Sequence, residues 1–433
     1  MQVTVIIPIH NSEKYLKECI NSALSQVFQD IEILCIDGGS TDSSGEIVKN
    51  LQFKDRRIIS IYDTNTSYGH KINVGIERAR GEYIAILESD DRMKPDMIEK
   101  LYHVAETYDV DFVDADYSEF LSYAGKEIEN HIHKYDVYEQ YNHLINYEDN
   151  VKRDIVNNGI WTGLYKKSFL IEQNIRLNES AGASYQDLSF MFLTSFLAKK
   201  VYHMNIPLYQ YRVDNAESSV RDNNKIFEII WECEFLKNNL LSRGIKNKTD
   251  WSVYYIRKYK AFYWNYCRLS LSVKGIFLKA YAEELKCDVK NKRIDRKMFV
   301  PFLYNQTFLL IDDKEKFIME AEQNFGGSFL ARVCKSLDKI GNREVVLFGM
   351  GVLGKKIMDI LLQKGANIKS VCDNSWSRQG EYVGGIEIVS VKQAAGKYPR
   401  SMYFVTSSKY RKEMLEQLLS EGIKEKNIVV LDN

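Results

Sequence analysis

Residues 83–91 read Tyr-Ile-Ala-Ile-Leu-Glu-Ser-Asp-Asp, an apolar run that ends in three acids within four residues. The apolar part predicts a buried strand. Three carboxylates this close together repel one another unless a cation lies among them. Hard carboxylate oxygens suit Mg²⁺ or Mn²⁺, and either ion can also hold diphosphate oxygens. A solvated turn is the alternative interpretation, because Asp is common in turns.

The sequence around this stretch alternates apolar runs with segments of helical periodicity up to residue 116. This alternation predicts a mostly parallel α/β sheet with helices on both faces, in which ligands bind beyond the carboxyl ends of the strands. The segments at those ends are therefore the candidate site. The predicted strands are Val3–Ile7, Ile31–Ile36, Ile58–Tyr62, Tyr83–Leu87 and Phe112–Val113, and the predicted helices are Glu13–Gln26 and Ser43–Leu51.

The segment after the second predicted strand reads Asp-Gly-Gly-Ser-Thr-Asp at residues 37–42. Its glycines allow a ligand to approach the backbone closely. Asp37 stands at the strand end, and we assign it to a ligand contact. Thr41 and Asp42 fit the start of the next helix, where such side chains cap free backbone amides.

Together these segments resemble the family 2 glycosyltransferases. The resemblance runs in the correct order over about the first 120 residues and extends more weakly to about residue 220. It implies a glycosyltransferase A fold (the nucleotide-diphospho-sugar transferase fold), a nucleotide-sugar donor, a divalent metal and inversion at the anomeric carbon. The matching segments are Pro8–Asn11, Asp37–Asp42, the stretch Gly-His-Lys-Ile-Asn-Val-Gly at residues 69–75, and Tyr83–Asp91.

The resemblance also implies site residues, position by position. Asp90 and Asp91 correspond to acids that contact a metal, either Mn²⁺ or Mg²⁺. Lys71 could offset diphosphate charge, although a surface lysine is the ordinary alternative. Trp161 stands where the family often has a Trp, and it is a candidate acceptor platform or a core residue. The residues assigned to the donor are Pro8, Ile9, His10, Asn11, Asp37, Lys71 and Glu88.

A catalytic base is implied at Asp187. The family carries a Glu-Asp pair that opens a helix, and here the pair is Gln186 and Asp187. An inverting transfer needs one base to take the proton of the acceptor hydroxyl. The alternative for Asp187 is a carboxylate favoured by the helix dipole.

Three positions depart from the family pattern. Glu88 replaces the first Asp of the acidic motif, Gly38 replaces a common second Asp, and Gln186 replaces Glu. The change at residue 38 leaves Asp37 as the sole acid of its segment.

The middle of the chain, residues 222–340, reads as helical. Residues 254–300 hold twelve Lys or Arg against four acids, and aromatic residues interleave with the start of this run. A basic, aromatic-lined surface could contact anionic lipid headgroups. A solvated helix face over an aromatic core is the alternative.

The last 90 residues return to strand–helix alternation. Gly349, Gly351 and Gly354 lie between a predicted strand and helix, and Asp373 follows at the distance of a ribose-binding acid. This pattern predicts a C-terminal Rossmann-like α/β domain with a structural or oligomerising role, which leaves a homo-oligomer open. The predicted domains are 1–220 (catalytic), 221–340 (helical) and 341–433 (Rossmann-like).

Composition excludes several classes of protein. The 433 residues carry equal numbers of basic and acidic side chains, which disfavours a nucleic-acid binder. The 7 Cys are scattered, without zinc-ligand spacing, as expected of reduced thiols. No signal peptide or membrane-spanning run is recognisable. We expect a cytoplasmic protein, with peripheral contact at the inner face of a membrane through residues 254–300 left open.

The sequence thus predicts an inverting, metal-dependent glycosyltransferase of the hexosyltransferase type. The resemblance implies a UDP-sugar donor, a saccharide or lipid-linked saccharide acceptor, and a place in bacterial surface polysaccharide or glycoconjugate synthesis. One rival is a non-catalytic nucleotide-sugar-binding scaffold, which the changes at Glu88 and Gln186 allow. The other is a nucleotide-sugar-modifying NAD(P) enzyme working through residues 343–433, although that stretch holds no recognisable proton-relay pair.

Overall fold

The computed structural model describes residues 1–123, 125–135, 140–147, 159–215, 217, 225–294, 301–323, 329–338, 340–407 and 410–430. By its contacts the chain divides into two units. Unit 1 comprises Met1–Ser118 and His131–Ala321, and unit 2 comprises Glu119–Asn130 and Glu322–Asn433. Most of the predicted helical region therefore groups with the first unit, and the division into three domains stays a prediction.

The first part of the chain contains the following elements. The strands are β1 Val3–Ile9, β2 Ile31–Gly38, β3 Ile58–Asp63, β4 Tyr83–Ile86, β5 Arg92–Met93, β6 Phe112–Tyr123, β7 Lys126–Ile132, β8 Leu144–Asn146, β9 Gly163–Lys166 and β10 Lys200–Arg212. The helices are α1 Glu13–Leu24, α2 Ser44–Lys54, α3 Tyr68–Arg78, α4 Met97–Tyr108, α5 Lys167–Glu172, α6 Gln186–Leu197, α7 Glu228–Ser242, α8 Lys248–Arg268, α9 Leu271–Lys290, α10 Pro301–Asp312 and α11 Lys314–Gln323.

One large sheet organises these elements. Among the described residues it has the strand order β3-β2-β1-β4-β9-β6-β10-β5, with β7 on β6 and β8 on β10. Strands β1 to β4 pair in parallel, and β9 reverses the direction. Ile9 lies opposite Asp37 in the β1–β2 register, so the ends of these strands are adjacent. The predicted parallel pairing is confirmed for β1 to β4, whose candidate segments share one edge. The strand predicted at Phe112–Val113 instead pairs antiparallel with β9.

Helices cover both faces of this sheet because successive strand residues point to opposite sides. On one face Ile6 packs in a cluster with Ile72 of α3 and Phe190 of α6. On the other face Val5 packs in a cluster with Leu16 of α1. Helices α7 to α9 add to the first cluster, so they extend the core over α6.

The aromatic residues at the start of the basic region belong to this core. Lys258 is itself buried and pairs with Asp288 at 2.8 Å. Of the two interpretations of residues 254–300, the structure supports the aromatic core; residues 295–300 lie outside the described part. None of the described helices is long and apolar enough to span a membrane. The buried aromatic side chains are Tyr254, Tyr255, Tyr259, Phe262 and Tyr266.

The second unit contains a smaller sheet with the strand order β13-β14-β12-β11-β15-β16 among its described residues. Its pairs are parallel except for β13–β14. The Rossmann-like classification of this α/β unit stays a prediction. Its elements are α12 Phe329–Asp338, β11 Val345–Phe348, α13 Val352–Gln363, β12 Ile368–Cys372, β13 Tyr382–Val383, β14 Ile386–Val389, α14 Val391–Lys397, β15 Met402–Val405, α15 Arg411–Ser420 and β16 Ile428–Val430.

The predicted glycine turn connects β11 to α13. A Cβ atom on Gly354 would lie 2.1 Å from the carbonyl oxygen of Gly349, whereas a Cβ on Gly351 would meet nothing within 4 Å. Asp373 follows β12 and accepts a hydrogen bond from the Met350 amide at 2.9 Å. Asp373 therefore fixes this turn from the neighbouring strand.

We predict that Gly354→Ala destabilises unit 2 by about 1–3 kcal/mol, the usual cost of overpacking. Gly351→Ala is the matched control and is expected to unfold like the wild type. Denaturant unfolding of the full chain measures both. Equal losses in the two variants would contradict the assigned role of Gly354.

Candidate active site

The loops after β1 and β2 are locked together by hydrogen bonds. His10 Nδ1 lies 2.9 Å from the carbonyl oxygen of Gly38. Asn11 adopts a left-handed backbone conformation with φ of 50°, and its Oδ1 accepts a hydrogen bond from the Thr41 amide at 2.8 Å. Asp37 lies at the end of β2 and is buried. The structure thus brings His10, Asn11 and Asp37 together, as the sequence predicted for a donor site.

Pro8 and Ile9 differ from these neighbours because both lie inside β1, paired with β2. The Ile9 side chain is fully buried in the sheet core, and Pro8 is also buried. A donor contact by either residue would therefore use the main chain, and their side chains stabilise the sheet.

The departure at Gly38 has a steric explanation. A Cβ atom at this position would lie 2.6 Å from the Asn65 carbonyl oxygen and 2.8 Å from Lys71 Nζ. Lys71 is only 3% exposed, so its alternative interpretation as a surface lysine is wrong. Burial lowers the pKa of Lys71 to about 8, while the carboxylates of Glu88 and Asp37 act in the opposite direction. The buried Lys71 ammonium therefore lies next to the space that the side chain of an Asp at position 38 would occupy.

Asp91 is enclosed by the protein. Its side chain is 1% exposed, its Oδ1 accepts a hydrogen bond from the Arg212 amide at 2.7 Å, and its Oδ2 accepts one from the Tyr209 hydroxyl at 2.8 Å. Burial and then the charge of Asp90 raise the pKa of Asp91 well above its ordinary value. These contacts favour a structural role for Asp91, and its assignment to a metal stays a prediction.

Asp90 and Glu88 are less enclosed than Asp91, since both are partly exposed. Asp90 Oδ2 accepts a hydrogen bond from Asn215 at 2.7 Å, and Glu88 accepts one from the Tyr68 hydroxyl. Burial raises the pKa of Glu88 to about 8; the Tyr68 hydrogen bond opposes the rise, and the charges of Asp90 and Asp187 add to it. Crowded hard oxygens fit Mg²⁺ or Mn²⁺, because a cation would relieve this repulsion.

Asp187 reaches the same region from a distant part of the sequence. It lies in the first turn of α6 and is partly exposed. Burial raises its pKa, and the charge of Arg257 on α8 acts against that rise. The Tyr68 amide donates to the Gly182 carbonyl oxygen at 2.8 Å, in the loop before Asp187. The charge of Asp187 adds to the rise in the pKa values of Glu88 and Tyr68 that burial causes.

Gln186 organises the loop that precedes Asp187. Its Nε2 donates to the Ser180 hydroxyl at 2.9 Å and faces the carbonyl oxygens of Ser180 and Gly182 at 3.3 and 3.2 Å. Its Oε1 accepts a hydrogen bond from the Ser184 amide. A Glu at this position would place negative oxygens against carbonyl oxygens. The departure from the family pattern therefore serves the fold of this loop.

The other side of this loop is held by α3. His70 contacts Glu179 at 2.8 Å and Asp63 at 3.0 Å, and the hydrogen bonds that its ring donates to these carboxylates raise its pKa. Asn73 donates to the Leu177 carbonyl oxygen at 3.0 Å and accepts from the Leu177 amide at 3.0 Å. The stretch at residues 69–75 thus holds the loop that precedes Asp187.

Trp161 lies in a short 3₁₀ turn, Ile160–Thr162, as part of an aromatic stack. Its ring stacks on Tyr209 at a centroid distance of 4.4 Å and on Tyr211 at 5.4 Å. It is partly buried and contacts both core clusters. Core packing accounts for one face of this ring, and the acceptor role stays a prediction.

Several residues of the site were not identified from the sequence. They are contributed by α3, by β10 and the residues after it, and by the helices of the middle region. Burial raises the pKa of Glu232 to about 7, and the charge of Asp187 adds to that rise. The sequence Tyr-Gln-Tyr-Arg at residues 209–212, at the end of β10, could have indicated that this strand contributes to the site. The missed residues are Tyr68, Tyr209, Arg212, Asn215, Glu232 and Arg257.

Solved structures share this fold. The 1–349 fragment of S. aureus TarS, determined in complex with UDP-GlcNAc, superposes with a TM-score of 0.55 at 16% identity. The match covers 75% of this chain and 90% of that fragment. The predicted glycosyltransferase A fold is therefore confirmed.

The family follows from the sequence comparisons. The model of glycosyl transferase family 2 matches residues 4–159, and a model described as C2185-like, N-terminal, matches residues 341–429. Glycosyltransferase GlyG of Streptococcus pneumoniae is 33% identical over 220 residues, which are 48% of this chain and 70% of GlyG. The chain belongs to glycosyl transferase family 2, and the predicted enzyme class is confirmed at the level of the family.

Two further relatives match over about half of this chain. Putative glycosyltransferase EpsH of Bacillus subtilis is 29% identical over 52% of this chain, and GlyA of S. pneumoniae is 32% identical over 50%. The chain spans 65% of the length of EpsH and 31% of the length of GlyA.

We predict that Gln186→Glu destabilises unit 1 by about 1–3 kcal/mol at about pH 8, the cost of buried polar groups left without partners. The loss should shrink near pH 5, because a protonated carboxyl can donate one hydrogen bond. Thermal unfolding measures the effect. Gln52→Glu, at a partly exposed position of α2, is the control and is expected to show no such loss. A loss of stability in Gln186→Glu that does not depend on pH would contradict this explanation.

A second prediction concerns Glu88, whose pKa is about 8 in the folded protein against an ordinary value of 4.5. The folded state then binds the proton more tightly than the unfolded state, so stability falls as pH rises between these values. Glu88→Gln should flatten this slope when metal is removed with EDTA. Thermal unfolding across that pH range tests it, and parallel slopes for wild type and variant would refute it.

Proposed function

We propose that this chain is an inverting, metal-dependent glycosyltransferase that moves a sugar from a UDP-sugar to a hydroxyl of a saccharide or lipid-linked saccharide. One observation carries the proposal: Tyr68 donates its hydroxyl to Glu88 and its amide to the Gly182 carbonyl oxygen at 2.8 Å, so the loop before Asp187 lies beside the acidic segment. A base and a donor-binding acid at one sheet edge are what a direct displacement requires.

In the proposed step, Asp187 takes the proton of the acceptor hydroxyl. The hydroxyl oxygen attacks the anomeric carbon on the face opposite the nucleotide, so the configuration inverts. The bond from this carbon to the diphosphate oxygen breaks, and UDP leaves with the electron pair. Arg257 stabilises the charged form of Asp187 before the proton arrives. Mg²⁺ or Mn²⁺ held near Asp90, when bound, supplies Lewis-acid stabilisation of the nucleotide diphosphate.

The donor end is assigned to the loops after β1 and β2. Asp37, His10 and Asn11 bind the nucleoside, and Lys71 contributes positive charge from the buried side. UDP is the proposed nucleotide, in keeping with the complex of TarS, which shares the fold. The relatives named for glycosyltransferase activity, including EpsH, support a place in bacterial surface polysaccharide or glycoconjugate synthesis.

The proposal does not include a membrane surface at residues 254–300, because most of the aromatic residues there are buried. A non-catalytic scaffold is the main alternative. It keeps nucleotide-sugar binding and lacks transfer, so turnover with and without metal separates the two.

We predict that Asp187→Asn retains donor binding and lowers transfer about 10²–10⁴-fold, the usual contribution of a general base. The amide nitrogen cannot accept the proton. Calorimetry with UDP and Mn²⁺ measures binding, and UDP release in the presence of acceptor measures transfer.

Asp250→Asn is the matched control, since Asp250 is also a partly exposed acid in the first turn of a helix, α8. It removes the same favourable interaction with a helix dipole. Transfer should stay at the wild-type rate in this variant. A loss below tenfold in Asp187→Asn, or an equal loss in both variants, would assign the base to another residue.

A further inference from the structure

A second cluster of metal-ligating side chains lies on the strands β6 and β7. Asp116 Oδ2 is 2.9 Å from His131 Nε2 and 2.7 Å from His133 Nδ1. The three ligand atoms all lie within 4.8 Å of one another. All three residues belong to unit 1, and none of them takes part in the donor site described above.

The sheet explains why these side chains converge. His131 lies in β7 and His133 follows the last residue of this strand, and both rings reach the same oxygen of Asp116. Asp116 lies on β6, the strand that pairs with β7. The Asp116 carboxylate is fully buried, whereas His131 and His133 are 35% and 47% exposed. The cluster therefore has a rigid inner ligand and an outer side that solvent can reach.

Hydrogen bonds fix the orientation of the inner ligand. Asp116 Oδ1 accepts from the Tyr141 hydroxyl at 2.6 Å and from the Lys134 amide at 2.9 Å. Oδ2 is thereby aimed at both imidazoles. The Lys134 ammonium is turned away, since it pairs with Asp114 at 2.6 Å. Such outer partners hold ligating carboxylates in known metal sites.

We propose that Asp116, His131 and His133 form a binding site for a divalent transition-metal ion, with Zn²⁺ as the best fit. Two imidazoles and one carboxylate suit zinc better than Mg²⁺, which prefers oxygen ligands. Ligand atoms around tetrahedral zinc lie about 3.3 Å apart, so the present contacts need to open by about half an ångström. Three protein ligands leave one position for water.

The ion would join β6 to the end of β7, and the Tyr141 hydroxyl would hold its carboxylate ligand in place. The ring centroids of His131 and His133 are 4.1 Å apart, so two protonated imidazoles would repel each other there. One divalent cation satisfies both ring nitrogens and the carboxylate at once. The site is distinct from the acids near Asp90, whose oxygen ligands suit a harder ion.

Calorimetric titration of the EDTA-treated full chain with ZnCl₂ tests the proposal. Asp90→Asn serves as the background, so that zinc does not bind through the donor-site acid. One zinc ion per chain is expected, with a raised unfolding temperature. His133→Ala, at the most exposed ligand, should lower the affinity at least about 100-fold, and Tyr141→Phe about 10–100-fold.

His143→Ala is the control, because His143 is exposed, contacts the Tyr141 carbonyl oxygen and lies outside the cluster. It should bind zinc like the parent. Circular dichroism verifies the fold of each variant. Absence of zinc binding in the parent, or equal affinity in His133→Ala, would leave an ion-pair cluster only and overturn the site. Neither result depends on sugar transfer, so the proposed function is tested separately.

Discussion

Negative charge crowds the carboxyl end of β4, and the surrounding contacts hold it there. Glu88, Asp90 and Asp91 follow the strand directly, and Asp187 approaches from α6. Carboxylates at this spacing oppose one another's ionisation. Each is stabilised differently: Asp91 by hydrogen bonds from β10, Glu88 by the Tyr68 hydroxyl, and Asp187 by the charge of Arg257. The remaining repulsion favours a cation and, with it, a diphosphate.

This arrangement explains why helices from the middle region are part of the site. The charge of Arg257 on α8 acts to lower the pKa of Asp187, and the charge of Asp187 acts to raise the pKa of Glu232 on α7. Glu232 also accepts hydrogen bonds from the Asn178 side chain at 3.0 Å and the Ser189 amide at 3.3 Å, on either side of Asp187 in the sequence. Helix α7 therefore helps to hold the segment around Asp187, and aromatic residues of α8 and α9 belong to the same core cluster as α6.

The sequence was sufficient for strands β1 to β4, for the glycine turn and for the adjacency of the candidate segments after β1 and β2, because these follow from local periodicity and from the order of motifs. It did not predict strands β5 and β7 to β10. The sequence did not predict how deeply each acid is buried or which groups it contacts. Asp91 owes its burial to Tyr209 and Arg212, which are 118 and 121 residues away. The cluster of Asp116 and His131 was missed for a similar reason, since strand pairing joins them across a 15-residue gap.

Two departures from the family pattern, at Gly38 and Gln186, are explained by the atoms that surround each position. At position 38, a side chain would collide with the Asn65 carbonyl oxygen, and Lys71 Nζ borders the same space. Where the family commonly has a second acid, this chain has Gly38 and, beside it, the buried Lys71. The charges of Asp37 and Glu88 act on this lysine. At position 186, an amide replaces a carboxylate because its nitrogen must donate to the Ser180 hydroxyl. The change at Gln186 therefore does not argue by itself for a non-catalytic scaffold, and Glu88 keeps a carboxylate at its position.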